Sequence, residues 1–200
     1  MAEEIEVKIL NVDKIQLEQK LKEIGAQKLS DVFFRSTSFD YPGFPLDKEV
    51  AWLRLRTDGS KTTLAYKKRL GVTGVKGEND SGMEEIEIEV SDYEATKEIL
   101  KKLGMVEKFA QEKKRVTWQK GDVTFDIDTW PRLNTYLEIE SDSWDKIDTT
   151  IIELGYNLKD KVICSATQVY EQNGVNDKDY CKLCFDEWIR RDGTVECVKE

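Results

Sequence analysis

Histidine is absent from all 200 residues. Its absence removes His-based triads, HExxH zinc sites and imidazole general bases. Any acid–base chemistry is left to carboxylates, lysines, cysteines or metal-bound water. No apolar run approaches the roughly 18 residues of a membrane span, and the opening Met-Ala-Glu-Glu-Ile-Glu-Val-Lys is acidic where a signal peptide is basic. A cytoplasmic protein with no membrane partner is therefore expected. Cysteine is missing until Cys164, and the remaining three, Cys181, Cys184 and Cys197, follow it in the last quarter. A reducing compartment would keep all four as thiols. Basic charge is in the minority, with 31 Lys and Arg against 40 Asp and Glu, a net charge of −9 and a pI near 4.9. This is a poor footprint for nucleic acid, and a polyanionic partner would need a local, enclosed positive site. Charged residues still reach 36%, against roughly 25% in ordinary soluble proteins, while 10% aromatics argue against a disordered polyelectrolyte. At 23.2 kDa the chain is read as one folded domain spanning 1–200.

Three amphipathic segments end at an aliphatic–glycine pair. The first, about 12–24, places Val12, Ile15, Leu17, Leu21 and Ile24 inward and stops at Gly25. The second opens on a Ser91/Glu94 capping box, carries Ile99, Leu100 and Leu103, and stops at Gly104. The third runs from about Asp142 through Trp144, Ile147, Ile151, Ile152 and Leu154 to Gly155. Between them the period switches to two, and segments 3–10, 31–41, 50–57, 61–69, 83–90, 109–119, 122–129 and 135–141 read as strands joined by short polar links. Short links imply antiparallel neighbours. The core of the domain is placed at about 3–155. Residues 156–200 are less regular, with a short helix near 165–170, and this C-terminal region could plug one mouth of a tunnel formed by the strands. The glycine-rich stretch 71–82 reads as a hairpin loop without the GK[ST] continuation of a phosphate loop.

The polar faces of these strands are almost wholly ionic. Glu4, Glu6 and Lys8 alternate with Ile5, Val7 and Ile9; Arg54 and Arg56 with Leu53 and Leu55; Lys67 shares a face opposite Leu64 and Tyr66. Downstream, Glu85 and Glu87 oppose Ile86 and Ile88, Lys113 and Arg115 oppose Val116 and Trp118, Asp126 and Asp128 oppose Phe125 and Ile127, and Glu138 and Glu140 oppose Leu137 and Ile139. On one strand such a face would be a solvated surface whose ion pairs contribute a fraction of a kcal/mol. Repeated over seven strands, with like charges stacked in pairs, it suggests an interior. Eight strands are about the number that closes a small barrel, and helices covering the apolar faces from outside would turn the ionic faces into its lumen. The expected fold is α+β, a closed eight-stranded antiparallel β-barrel with helices packed outside. Clustered carboxylates are hard ligands suited to Mg²⁺ or Mn²⁺, and convergent Lys and Arg suit phosphate oxygens.

The ordered set Glu4-Ile-Glu6-Val-Lys8, Leu53-Arg54-Leu55-Arg56, Leu64-Ala-Tyr-Lys67, Glu84-Glu85-Ile-Glu87, Lys113-Lys-Arg115, Asp126-Ile-Asp128 and Tyr136-Leu-Glu138-Ile-Glu140 resembles the CYTH superfamily, the triphosphate tunnel metalloenzymes. The resemblance implies a tunnel that binds a triphosphate with Mg²⁺ or Mn²⁺. By family pattern Glu4, Glu6, Asp128, Glu138 and Glu140 would hold metal, with Asp126 on the same face. Lys8, Arg54, Arg56, Lys67, Lys113 and Arg115 would clamp phosphate oxygens, Lys8 and Lys67 also acting in catalysis, and Glu85 and Glu87 would assist a second metal or orient the attacking water.

Family members of this kind include class IV adenylyl cyclases, tripolyphosphatases and thiamine triphosphatases. The cyclase pattern carries His-Phe shortly before ExExK and an arginine before the fifth-strand acids; here the signature begins at residue 4 and Met83 stands in the arginine's place. Hydrolysis of tripolyphosphate, thiamine triphosphate or ATP is thus favoured over cyclisation of ATP, and a non-catalytic polyphosphate-binding module is the third reading. A homodimer is left open. Cys181-Lys-Leu-Cys184 lacks the second pair of a zinc ribbon and reads as ordinary thiols in a packed tail. Trp130 and Pro131 read as rim packing rather than a base-stacking edge, and Lys159 or Lys161 could approach substrate.

Overall fold

The computed structural model describes residues 5–69 and 83–197; Glu4 and the stretch 71–82 lie outside the described residues. The elements begin with β1 (Ile5–Ile9), α1 (Lys14–Glu23), β2 (Gln27–Asp40), α2 (Pro45–Lys48), β3 (Ala51–Thr57), β4 (Thr62–Arg69) and β5 (Met83–Val90). They continue with α3 (Tyr93–Lys102), β6 (Val106–Lys120), β7 (Val123–Thr129), β8 (Tyr136–Ser141) and α4 (Trp144–Glu153). The last part holds β9 (Lys161–Val162), α5 (Ala166–Gln172), β10 (Tyr180–Leu183), β11 (Glu187–Arg190) and β12 (Val195–Cys197). The chain forms two compact units, a first of Met1–Phe33 with Lys113–Lys178 and a second of Phe34–Glu112 with Asp179–Glu200.

In the first unit, β7 pairs with β6 and β8, and β1 pairs with β8 and β9, all antiparallel. The two-residue link between β6 and β7 permits this, with Gly121 at φ +57° in the turn. One face of these strands supplies Val7, Ile9, Val116, Trp118, Phe125, Ile127, Leu137 and Ile139, which bury against Leu17 and Leu21 of α1 and Ile147 and Ile151 of α4. Each fully buried aliphatic side chain there contributes about 1.5–3 kcal/mol. The Asp13 carboxylate accepts from the Gln16 N–H at 2.9 Å and caps α1. Both helices stop at a left-handed glycine, Gly25 and Gly155.

The inward stripes are narrower than the sequence pattern suggests. Ile15, Trp144 and Ile152 are exposed. Ile15 lies two positions from Leu17, about 200° round the helix, and a ten-residue helix docks only one stripe on a sheet.

In the second unit, β4 pairs with β3 and β5, and β3 with the latter part of β2, all antiparallel. Phe39 and Leu55, with Leu53 and Leu64 beside them, pack against Leu100 of α3 and against Met105. The α3 cap is Asp92, which accepts from the Ala95 N–H at 2.7 Å, in place of the expected Ser91. Ile99 and Leu103 are exposed rather than inward, leaving Leu100 as the buried residue of that helix. The tail adds three short strands. β10 lies parallel to β6, with Lys182 opposite Ala110 and Leu183 opposite Gln111, and pairs with β11, which pairs with β12.

The architecture is α+β with a large antiparallel sheet, its ladders running β5-β4-β3-β2-β6-β7-β8-β1-β9. Among the described residues the sheet is not closed, so the expected closed barrel is not confirmed. Among the described residues the path starts at β5 and finishes at β9, and the hydrogen bonds β1 has left after β8 go partly to β9 through Lys8↔Val162 and Ile9↔Lys161. No described helix is long and apolar enough to cross a membrane.

Candidate active site

Strand alternation places Lys113, Arg115, Thr117, Asp126, Asp128, Tyr136, Glu138, Glu140, Glu6 and Lys8 on the face of the first unit turned away from α1 and α4. Register then brings them into contact. Lys8 stands opposite Glu138, Glu6 opposite Glu140, Asp126 opposite Glu138 and Arg115 opposite Asp128. The Lys8 ammonium donates to Glu6 and lies 3.0 Å from Glu138 Oε1. Arg115 donates through Nε to Asp128 Oδ1 and through Nη2 to Oδ2, both at 2.6 Å, and pairs through Nη1 with Asp126 Oδ2 at 2.5 Å. The same Nη2 also donates to Glu138 Oε2. Lys113 reaches Asp128 Oδ2 at 3.1 Å and lies 5.2 Å from the centre of the Trp130 ring.

Lys8 and Asp128 are almost fully buried, which no isolated charge would tolerate. Burial pulls the Lys8 ammonium down, but Glu138 and Glu6 together hold it above its ordinary value. For Arg115 burial is likewise outweighed, by Asp128 first, and its guanidinium stays charged. Lys113 goes the other way: burial lowers it, and Asp128 offsets only part of the shift. Burial and then the Asp128 charge raise the Glu138 carboxyl. Five carboxylates, Glu6, Asp126, Asp128, Glu138 and Glu140, thus share a face with three cations, Lys8, Lys113 and Arg115. The surplus is negative and made of hard oxygen donors, which fits a divalent cation such as Mg²⁺ or Mn²⁺.

The second unit carries a different ionic face. Ser36, Ser38, Arg54, Arg56, Lys67, Glu85 and Glu87 lie on the side of β2–β5 opposite the α3 packing. Lys67 pairs with Glu85 at 2.7 Å, directly across the ladder. The Arg56 guanidinium stacks 5.0 Å from the centre of the Phe34 ring. Arg54 Nε is buried without a hydrogen bond, and burial, followed by the neighbouring Arg56 charge, lowers that guanidinium's pKa. Glu85 and Glu87 are exposed.

Of the residues expected from the sequence, the first unit brings together Glu6, Lys8, Lys113, Arg115, Asp126, Asp128 and Glu138, with Glu140 on the same face. The second unit groups Arg54, Arg56, Lys67, Glu85 and Glu87. Lys161 turns elsewhere, pairing with Asp148 and lying 5.2 Å from the Trp144 ring centre. Trp130 meets Tyr170 edge-on at 6.4 Å, and the Tyr170 hydroxyl donates to the Pro131 carbonyl, so this corner is packed as expected.

The sequence reading missed two neighbours of the acids. The Thr117 hydroxyl donates to Asp126 at 2.6 Å. Tyr136 is fully buried opposite Asp128, and neither its hydroxyl nor Trp130 Nε1 makes a hydrogen bond of ordinary geometry. Burial, then Asp128 and Glu138, push that phenol well above its usual value. The signal was the parity of Tyr136 with Glu138 and Glu140, which puts it on the ionic face rather than in the core.

A model of the CYTH domain matches residues 2–165. A candidate adenylate cyclase of Methanocaldococcus jannaschii is 29% identical over 161 residues, covering 80% of this chain and 83% of the relative. Among solved structures, a Pyrococcus horikoshii protein superposes with a TM-score of 0.59 at 24% identity, covering 80% of this chain and 94% of that one. A candidate adenylyl cyclase from Hippeastrum, described as having a dominant triphosphatase activity, superposes with a TM-score of 0.61 at 15% identity, covering 86% and 95%. At these identities the two structures show a shared fold.

Proposed function

The chain belongs to the CYTH family, and from that premise we propose that it is a divalent-metal-dependent triphosphatase acting on tripolyphosphate, thiamine triphosphate or ATP. The observation that carries this reading is the surplus of carboxylates over cations on the face of the first unit turned away from α1 and α4, beside cations able to grip phosphate. Glu6, Glu138 and Glu140, with Glu4 of the signature, would hold Mg²⁺ or Mn²⁺. The bound ion would supply Lewis-acid stabilisation of phosphoryl oxygens. Asp128 occupies an expected ligand position, but both its oxygens already bond Arg115, so its first contribution is to fix that guanidinium.

Lys8, Lys113 and Arg115 would take phosphoryl oxygens and neutralise charge that develops as the bridging P–O bond lengthens. Arg54, Arg56 and Lys67 of the second unit are cations of the same kind, and Phe34 orients the Arg56 guanidinium. Glu85 or Glu87, both exposed, would orient the water that attacks the terminal phosphorus. A P–O bond to water forms, the bridging bond breaks, and orthophosphate leaves with the water's proton passing to a carboxylate or solvent.

A second reading, cyclisation of ATP, is favoured by the name of the Methanocaldococcus relative. Against it stand the missing His-Phe prefix and Met83 in place of arginine. The Hippeastrum protein is a precedent within the fold for a cyclase-like chain whose main activity is hydrolytic. Incubation with γ-labelled and α-labelled ATP under Mg²⁺ and under Mn²⁺ separates the two. Labelled orthophosphate is the expected product; pyrophosphate with cyclic AMP would replace this reading with the second.

A further inference from the structure

We propose that the second unit holds a transition-metal ion of the zinc class between Glu112, Cys184 and Asp186, separate from the triphosphate chemistry. The parallel ladder of β10 on β6 sets Lys182 against Ala110 and Leu183 against Gln111, so the next step brings Cys184 beside Glu112. The turn that follows carries Asp186 to the same point. One ligand atom from each residue lies within 4.8 Å of the other two. The Phe185 N–H donates to Glu112 Oε2 at 3.0 Å and fixes that carboxylate in the turn.

Two converging carboxylates alone would be an ordinary surface feature. The thiol aimed between them is different, because Cys184 is only 5% exposed and, among the described residues, its sulfur makes no hydrogen bond. Cys181, three residues earlier, faces the Ile189 and Arg190 carbonyls at 3.5 and 3.8 Å instead, so the CxxC pair does not act together. Lys182, the nearby cation, acts on Cys184 and Asp186 through its charge, while its direct ion pair is with Glu187.

A thiolate is a soft donor and selects zinc-class ions over Mg²⁺. In a tetrahedral zinc site with bonds of about 2.0–2.3 Å, ligand atoms sit about 3.4 Å apart, a modest contraction of what is seen here. Solvent completes the set on the side of Asp186, which is exposed. Binding replaces the Cys184 S–H bond with a metal–thiolate bond, and the proton passes to buffer. Cys184 and Asp186 lie beyond the residues matched by the CYTH model, whereas Glu112 lies within them. The ion would thus staple the C-terminal strands to β6.

The test is metal content of the full chain, loaded with Zn²⁺ and dialysed against millimolar Mg²⁺, with Co²⁺ substitution as a second measurement on the unaltered protein. We expect one zinc per chain and a near-ultraviolet thiolate-to-cobalt band. Both should fall to about a tenth or less in Cys184→Ser and strongly in Glu112→Gln, and both should persist in Cys164→Ser, Cys181→Ser and Glu138→Gln. Zinc retained in full by Cys184→Ser, or no thiolate–cobalt band in the wild-type chain, would overturn the proposal. Because Glu138→Gln disables the triphosphate site alone, failure of the zinc site and failure of the triphosphatase reading are told apart.

Discussion

The two units solve the same folding problem in the same way and arrive at different electrostatics. Each turns an apolar strand face to its helices and an ionic face away from them. In the first unit Lys8 and Asp128 are buried and the ionic residues are tied to one another, with Arg115 bonded to three carboxylates and Lys8 to two. In the second they are half-buried or exposed, with Lys67–Glu85 as the direct pair between the expected site residues and Arg56 resting on an aromatic ring. An acid-rich, interlocked face suits metal and the reacting centre; a cation-rich, looser face suits holding phosphate. The difference predicts separable effects of substitution on the two faces.

That division can be broken by experiment. The largest effect is expected from Glu138→Gln, which removes a central carboxylate of the first unit and should lower kcat by about 10²–10⁴-fold. Its melting temperature at neutral pH should hold or rise, because burial and Asp128 already make the Glu138 charge costly. A parallel collapse of melting temperature would place Glu138 in stability rather than catalysis. Arg56→Ala, in the second unit, should raise KM for tripolyphosphate by about 10–100-fold with kcat much less changed, the loss expected for one charge-assisted contact. If kcat fell instead and KM stayed, the assignment of grip to that face would be wrong.

Tyr136→Phe sharpens the comparison within the first unit. Removing a buried hydroxyl that makes no ordinary hydrogen bond should leave melting unchanged or slightly higher and shift activity by less than about tenfold, read by steady-state kinetics beside a thermal melt. The smallest effect is predicted away from both ionic faces. Burial raises the Glu107 carboxyl, but Lys101 and Lys97, at 2.9 and 3.1 Å, bring it below its ordinary value. A depressed carboxylate stabilises above its unfolded value and loses that contribution as pH falls through the folded one. Glu107→Gln should therefore lower stability at pH 7 by under about 1 kcal/mol, since the pair is partly solvated, and the gap from wild type should close in acid.

Period and glycine stops made much of this fold legible in the sequence. All eight strands read there correspond to β1–β8, although β2 starts at Gln27 and β6 at Val106, earlier than the alternation showed. Gly25, Gly104 and Gly155 end their helices in the left-handed region as the pattern demanded. The tail strands escaped notice because β10, β11 and β12 are three or four residues long, too short for alternation to register. Alternation also gave the ionic faces residue by residue, since parity alone decides them. What it could not give is partner choice: that Asp128 spends both oxygens on Arg115, or that Cys184 meets Glu112, follows from register across strands distant in sequence. Closure was over-read for a related reason, because strand count says nothing about which edge β9 takes.

The most direct test of the account is phosphate release from tripolyphosphate by the wild-type chain, first with a chelator and then with Mg²⁺ or Mn²⁺ restored. Orthophosphate release is expected to stop under chelation and to return with either ion. An undiminished rate under chelation, or no release with either ion from tripolyphosphate, thiamine triphosphate or ATP, would contradict it.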